Sequence, residues 1–257
     1  MAGPLLELAA LLSADGIPVE LFDAPTVVKY LSDQAERKID VEDARDGLGC
    51  LYRLSLVTLV GPVVRVHALV QRVTVDDLAP QRLSTAVRAA ADALVHLWPQ
   101  VERDGVQAQV LRANTDALAA AGGEHLWRDG GHKVLLRAAR SLGESSLGAD
   151  AADRFRYLGI EAARHLGPDH ADTVSARANA ANWQGEAGDG VGAVATLEEL
   201  LPDQARVLGP EHTNTLMTRG LVATWLAEMG DLVAAVGWGE APCATGRGCW
   251  VPTTRTR

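Results

Sequence analysis

The chain has 257 residues, 47% hydrophobic but only 4% aromatic, with a formal net charge of −9 and a pI near 5.2. That length holds two small domains or one domain with a repeat array, and an Ala- and Leu-rich composition favours helix over sheet. The acidic balance argues against a general nucleic-acid binder, which needs clustered Lys and Arg to neutralise phosphates.

No stretch approaches the roughly 18–20 apolar residues of a membrane span. The cysteines Cys50, Cys243 and Cys249 form no CxxC pair, so a zinc site or disulfide framework is not expected, and a reducing cytoplasm fits. The opening Met1-Ala2-Gly3-Pro4 has no basic run and does not read as a signal peptide. Residues 5–12 are an apolar helix after Pro4, broken by Asp15-Gly16-Ile17-Pro18. Val19 to Leu31 gives a second helical stretch and Val41 to Leu54 a third. Ser55 to Leu59 and Val63 to Val66 then alternate like a hairpin around Gly61-Pro62, and His67 opens another helix. Three helices followed by a β-wing is a winged-helix outline. Its would-be recognition helix carries Glu42, Asp43 and Asp46 against Arg45 and Arg53, and residues 1–78 hold seven Lys/Arg to twelve Asp/Glu. That is the wrong sign for a phosphate surface.

Leu83 to Leu97 reads as an amphipathic helix that Trp98-Pro99 stops, with another from about Gln100 to Ala121. Helices near 124–142 complete a helical linker over residues 79–142.

From there the sequence repeats. Leu166-Gly167-Pro168-Asp169-His170 recurs as Leu208-Gly209-Pro210-Glu211-His212, an offset of 42. At that offset Thr173 meets Thr215, Arg177 meets Arg219, Ala181 meets Ala223, Trp183 meets Trp225, and Gly188-Asp189 meets Gly230-Asp231. Eleven of the 24 positions in 166–189 are identical, which chance does not give in register. Each unit reads as a helix pair: Pro168 cannot continue a helix, Asp172 or Thr173 (Asn214 or Thr215) can cap the next, and Gly-Asp turns it. A weaker copy aligns Gly148, Ala151, Phe155, Ala163 and Arg164 with Gly190, Ala193, Leu197, Ala205 and Arg206. The signature resembles the 42-residue tetratricopeptide repeats of kinesin-light-chain type, common in regulatory proteins of actinobacteria. Ala171 and Thr213 stand where that family usually has Pro. The resemblance implies helix-turn-helix units stacked as an α-solenoid whose concave face binds peptides or proteins. The inner-face residues Arg177, Asn179, Asn182 and Arg219 are the candidate partner contacts; the alternative is that the arginines pair with Glu186 and Glu228 for stacking.

Leu54-Ser55-Leu56-Val57 with Val66-His67-Ala68-Leu69-Val70-Gln71, ahead of such repeats, resembles the winged-helix region of NB-ARC-type signalling ATPases of the STAND class. Their Met-His-Asp motif falls on Val66-His67-Ala68, so the resemblance implies that His67 contacts a nucleotide phosphate. Ala68 replaces that motif's Asp, and His67 reads equally as a helix-start residue. No GxxxxGK[ST] loop occurs, so ADP or ATP is expected only with an upstream nucleotide-binding domain.

After Val236 the helical pattern stops. Residues 237–257 are expected to be an out-of-frame, disordered tail, leaving Leu221, Val222, Trp225 and Leu226 without their packing partner. Read from each codon's third base, Cys249-Trp250 encodes Leu and Trp250-Val251 encodes Gly, where the period demands a third signature. No catalytic constellation is found: Ser141, Ser145 and Ser146 lack a nucleophile elbow, and His125 and His132 lie on a Gly-broken segment. The expectation is a mostly α, non-enzymatic, cytoplasmic chain without metal. It has a winged-helix-like domain (1–78), a linker (79–142) and repeats (143–236), and serves as the protein-binding sensor part of an NB-ARC/STAND-type regulator. The alternatives are a free-standing tetratricopeptide adaptor and a DNA-binding winged-helix transcription regulator.

Overall fold

The computed structural model describes residues 2–239, with twelve α-helices and three short strands among them. The chain forms two compact units, one ending at Ser141 and one starting at Leu142.

The first unit opens with α1 (Ala2–Ala10), which buries Leu5, Leu8 and Ala9. Strand β1 (Ile17–Pro18) and a 3-10 turn (Val19–Asp23) lead to α2 (Pro25–Ala35) and α3 (Val41–Arg53). The expected single helix from Val19 is thus two pieces, because Pro25 lacks the N–H to continue the turn and instead starts α2. Helix α3 starts at a reciprocal cap: the Asp43 N–H donates to Asp40 and the Asp40 N–H to Asp43. Strands β2 (Val57–Val60) and β3 (Val63–Val66) form the expected hairpin, with Gly61 at φ 59° in its turn. Ile17 pairs with Val64, so β3 is central in an antiparallel β1-β3-β2 sheet.

The segment expected to be a linker is part of the same unit. After α4 (Ala68–Asp76), α5 (Pro80–Leu97) packs on α1 and α2, and α6 (Gly105–Gly122) packs on α5. Helix α6 starts later than the apolar pattern suggested because Asp104 accepts from the Val106 and Gln107 N–H groups. Fully buried Asn114 on α6 accepts from the Ser13 N–H at 3.1 Å and donates to the Gly16 carbonyl at 2.8 Å. This polar tie fixes the loop after α1 to a helix a hundred residues on, and an unmade bond there would cost about 1–3 kcal/mol. Helix α7 (Lys133–Glu144) carries the unit boundary.

The second unit consists of helices α8 (Gly148–Leu166), α9 (Ala171–Glu186), α10 (Gly190–Val207), α11 (Thr213–Glu228) and α12 (Leu232–Gly239), each packed on the next. Apolar residues three and four apart put Ala193, Val194, Leu197, Leu200 and Leu201 of α10 into a core with Val222, Trp225 and Leu226 of α11. Each large side chain buried there contributes about 1.5–3 kcal/mol. Two expectations are corrected here. Helix α12 continues through 237–239, past the expected break, and Val222, Trp225 and Leu226 are buried in a core shared with α10 and with Ala235 of α12. The remainder of the expected tail, with Cys243 and Cys249, lies outside the described residues.

Candidate functional site

His67 is exposed and caps α4: its Nδ1 accepts the Leu69 N–H at 3.2 Å. This is the helix-start role. Helix α4 contacts α1, Gln71 donates to the Leu12 carbonyl just past the end of α1 at 2.8 Å, and α4 exposes Leu69 and Val73.

The nearest approach to catalytic chemistry is His132. Its Nε2 lies 3.2 Å from Asp92 Oδ1 and its Nδ1 accepts the Val134 N–H at 3.2 Å, capping α7. Burial pushes the ring below the usual histidine value, against the opposing pull of Asp92. The arrangement resembles the orienting half of a triad, but the nitrogen that would activate a nucleophile is occupied by a backbone N–H. In the same unit, Glu102 accepts from Trp98 Nε1 at 2.6 Å and from the Ser141 hydroxyl at 2.9 Å, and pairs with Arg137 at 2.8 Å. The Arg137 guanidinium stacks 5.2 Å from the Trp98 ring. With both carboxylate oxygens, the indole N–H and the hydroxyl so engaged, this cluster is a structural clasp. Among the described residues no three His, Cys, Asp or Glu side chains converge as metal ligands, and no helix is long and apolar enough to cross a membrane.

In the second unit the repeated residues perform repeated jobs. His170 and His212, not the expected Asp or Thr, cap α9 and α11, each accepting through Nδ1 from the N–H two residues on at 3.1 Å. Thr173 and Thr215 instead donate to the Gly167 and Gly209 carbonyls at 2.8 and 2.9 Å, closing the turn in which both glycines hold positive φ. Asp189 caps α10 through the Gly192 N–H; the Gln184 amide, then that N–H, hold its carboxyl below the usual range.

The tryptophans show how the pairs stack. Trp183 of α9 lies so close to Gly143 of α7 that a methyl group there would fall inside the indole, and Trp225 of α11 lies likewise on Gly185 of α9. Both seats and both rings are 42 residues apart. Every second helix therefore touches the next of its kind, with a ring seated on a glycine. Asn182 belongs to this contact: its Oδ1 accepts from Trp225 Nε1 at 3.3 Å. Asn214 likewise donates to Ser175 Oγ at 2.6 Å.

The four expected partner contacts do not converge. Asn182 is engaged between helices, and Asn179 donates to the Ser175 carbonyl of its own helix at 2.8 Å. Arg177, two positions from Asn179, points about 200° around the helix. A Cβ on Gly159 of α8 would be 3.3 Å from the Arg177 stem. Arg177 is exposed and Arg219 half-exposed, and neither guanidinium has a hydrogen bond or ion pair among the described residues. The alternative pairing with Glu186 and Glu228 is not made.

No family model, curated protein or solved structure matches this chain. Sequence reasoning missed the capping histidines, although a His two residues before a helical Asp or Asn in both copies was the available signal. It also missed the glycine seats, legible only once Gly143 and Gly185 are set against tryptophans 40 residues downstream.

Proposed function

We propose that the chain is a protein-binding module: a winged-helix-like unit followed by tetratricopeptide-like helix pairs, forming the sensor part of an NB-ARC/STAND-type regulator. The observation that carries the binding reading is the repeated Arg177 and Arg219, two guanidiniums held 42 residues apart without carboxylate partners among the described residues. Unneutralised arginines on successive units suit an extended ligand bearing carboxylates or free carbonyls. The order helix, strand, two helices and hairpin in residues 2–66 supports a winged helix.

The would-be recognition helix, α3, is poorly suited to DNA. Glu42 and Asp46 are exposed on α3, and its Arg45 is held by Asp23 at 2.7 Å. The free-standing adaptor is the second reading, favoured by His67, whose Nδ1 is already used in capping α4. Screening the chain against peptides with free C-terminal carboxylates tests the binding reading. The expected result is retained peptides whose affinity falls at least tenfold in Arg177→Ala with Arg219→Ala, about 1.4 kcal/mol or more. Peptides held equally by both proteins, or duplex DNA bound at low salt instead, would overturn it. ADP binding by the chain joined to an upstream phosphate-loop domain, weakened by His67→Ala, separates the regulator from the adaptor.

A further inference from the structure

The end of the helix stack carries an internal comparison. Val194 and Val236 occupy equivalent positions on α10 and α12, 42 residues apart. Val194 is 8% exposed because α11 covers it, whereas Val236 is 54% exposed. The residue type is the same and the helix is the same kind; only the covering helix differs. Leu232, one turn earlier on the same helix, is exposed too and extends the apolar strip. The ring seats continue as well: 42 residues after Gly185 stands Ala227, another small residue, on α11.

The codons around the same point carry an independent mark. Codons 247–257, each read from the third base of the preceding codon, admit Ala-Arg-Val-Leu-Gly-Pro-Asp-His-Ala-Asp-Thr. The Leu and Gly are fixed whatever synonymous codons are used. The earlier copies at the same offset are Ala-Arg-His-Leu-Gly-Pro-Asp-His-Ala-Asp-Thr from Ala163 and Ala-Arg-Val-Leu-Gly-Pro-Glu-His-Thr-Asn-Thr from Ala205. All eleven positions admit a residue found in one of the two copies. The register is kept to the residue, as a single missing base between codons 236 and 247 would leave it.

We infer that the α11–α12 end of the array is a docking surface for one further helix pair of the same 42-residue class, encoded by this gene in the frame one base earlier. The first helix of that pair covers Val236 as α11 covers Val194, and its ring-bearing position lies on Ala227. Leu232 replaces the small Gly148 and Gly190 of the earlier interfaces, which approach the ends of α9 and α11 closely. The residue opposite Leu232 in the new helix is therefore small. This inference concerns how the array continues and is independent of what the array binds.

The test compares the present chain with the product of the same gene carrying one inserted base between codons 236 and 247 and read to its next stop. Amide exchange across α12 is followed in both. The expected result is exchange slowed about tenfold or more in the restored product. Val236→Asp should return it to the rate of the present chain. Val233→Asp should leave it unchanged, since Val233 is 87% exposed and its equivalent Val191, beside a covered Val194, is still 72% exposed. Unchanged exchange in the restored product, or a restored frame that stops before another helix pair, overturns the inference. A concentration-dependent dimer of the present chain that Val236→Asp abolishes also overturns it, by making a second copy the occupant.

Discussion

Replacing Gly185 with alanine should give this protein no added stability although alanine is the better helix former. In an open helical position Gly→Ala gains about 1 kcal/mol. At Gly185 the added methyl overlaps the Trp225 indole, whose own position is fixed by burial and by Asn182. Overpacking of this kind costs about 1–3 kcal/mol, so it cancels or exceeds the propensity gain. Gly220, in the interior of α11 with nothing within 4 Å of an added Cβ, is the matched control and should show the gain alone. The two variants should therefore differ by about 1–3 kcal/mol in urea unfolding followed by circular dichroism. Equal stabilisation by Gly185→Ala and Gly220→Ala would refute the seating of a ring on a glycine as the stacking contact.

Gln204 is fully buried in α10 with neither amide atom hydrogen-bonded, so Gln204→Leu should raise stability by about 1–3 kcal/mol; a loss in the urea midpoint would mean the amide has partners after all. Glu102→Ala removes one partner of a buried ion pair and two further hydrogen bonds, and should cost about 3–5 kcal/mol, whereas a loss near zero in thermal unfolding would show the clasp to be idle. His132 has its folded-state pKa below the ordinary 6.5, so the unfolded chain takes up that proton first as pH falls. Its contribution is thus fully present above the ordinary value and is lost as pH falls from there toward the folded one. His132→Gln should reduce the acid loss of stability between pH 7.5 and 5, and an unchanged pH slope would contradict the assignment.

Periodicity made most of the helices legible, because a helix that packs one face must repeat its apolar residues every three or four positions. It served less well where capping, not burial, sets the boundary: Asp104 starts α6 five residues after Pro99, and Pro25 divides the stretch from Val19. The helical segment after residue 79 read as a connector because periodicity shows that α5 buries a face without showing that α1 and α2 are what it packs on. A buried Asn114 bound to Ser13 and Gly16 leaves no local pattern. The candidate contacts fared unevenly for a similar reason. Recurrence singles out Arg177 and Arg219 but does not show whether they pair with Glu186 and Glu228, and the use of Asn182 depends on where the Trp225 ring lands. The sequence offered His67 as a phosphate contact or a helix start; His67, His132, His170 and His212 all accept a backbone N–H at a helix start.

A stack of helix pairs in 42-residue register rests on two ring-on-glycine contacts being the same interaction made twice. Double-mutant cycles test that directly: Gly143→Ala with Trp183→Leu, and Gly185→Ala with Trp225→Leu. Both pairs should couple with the same sign, the smaller ring relieving the added methyl, by about 0.5–3 kcal/mol. Additivity within about 0.5 kcal/mol at either pair would contradict the stacking on which the whole account depends.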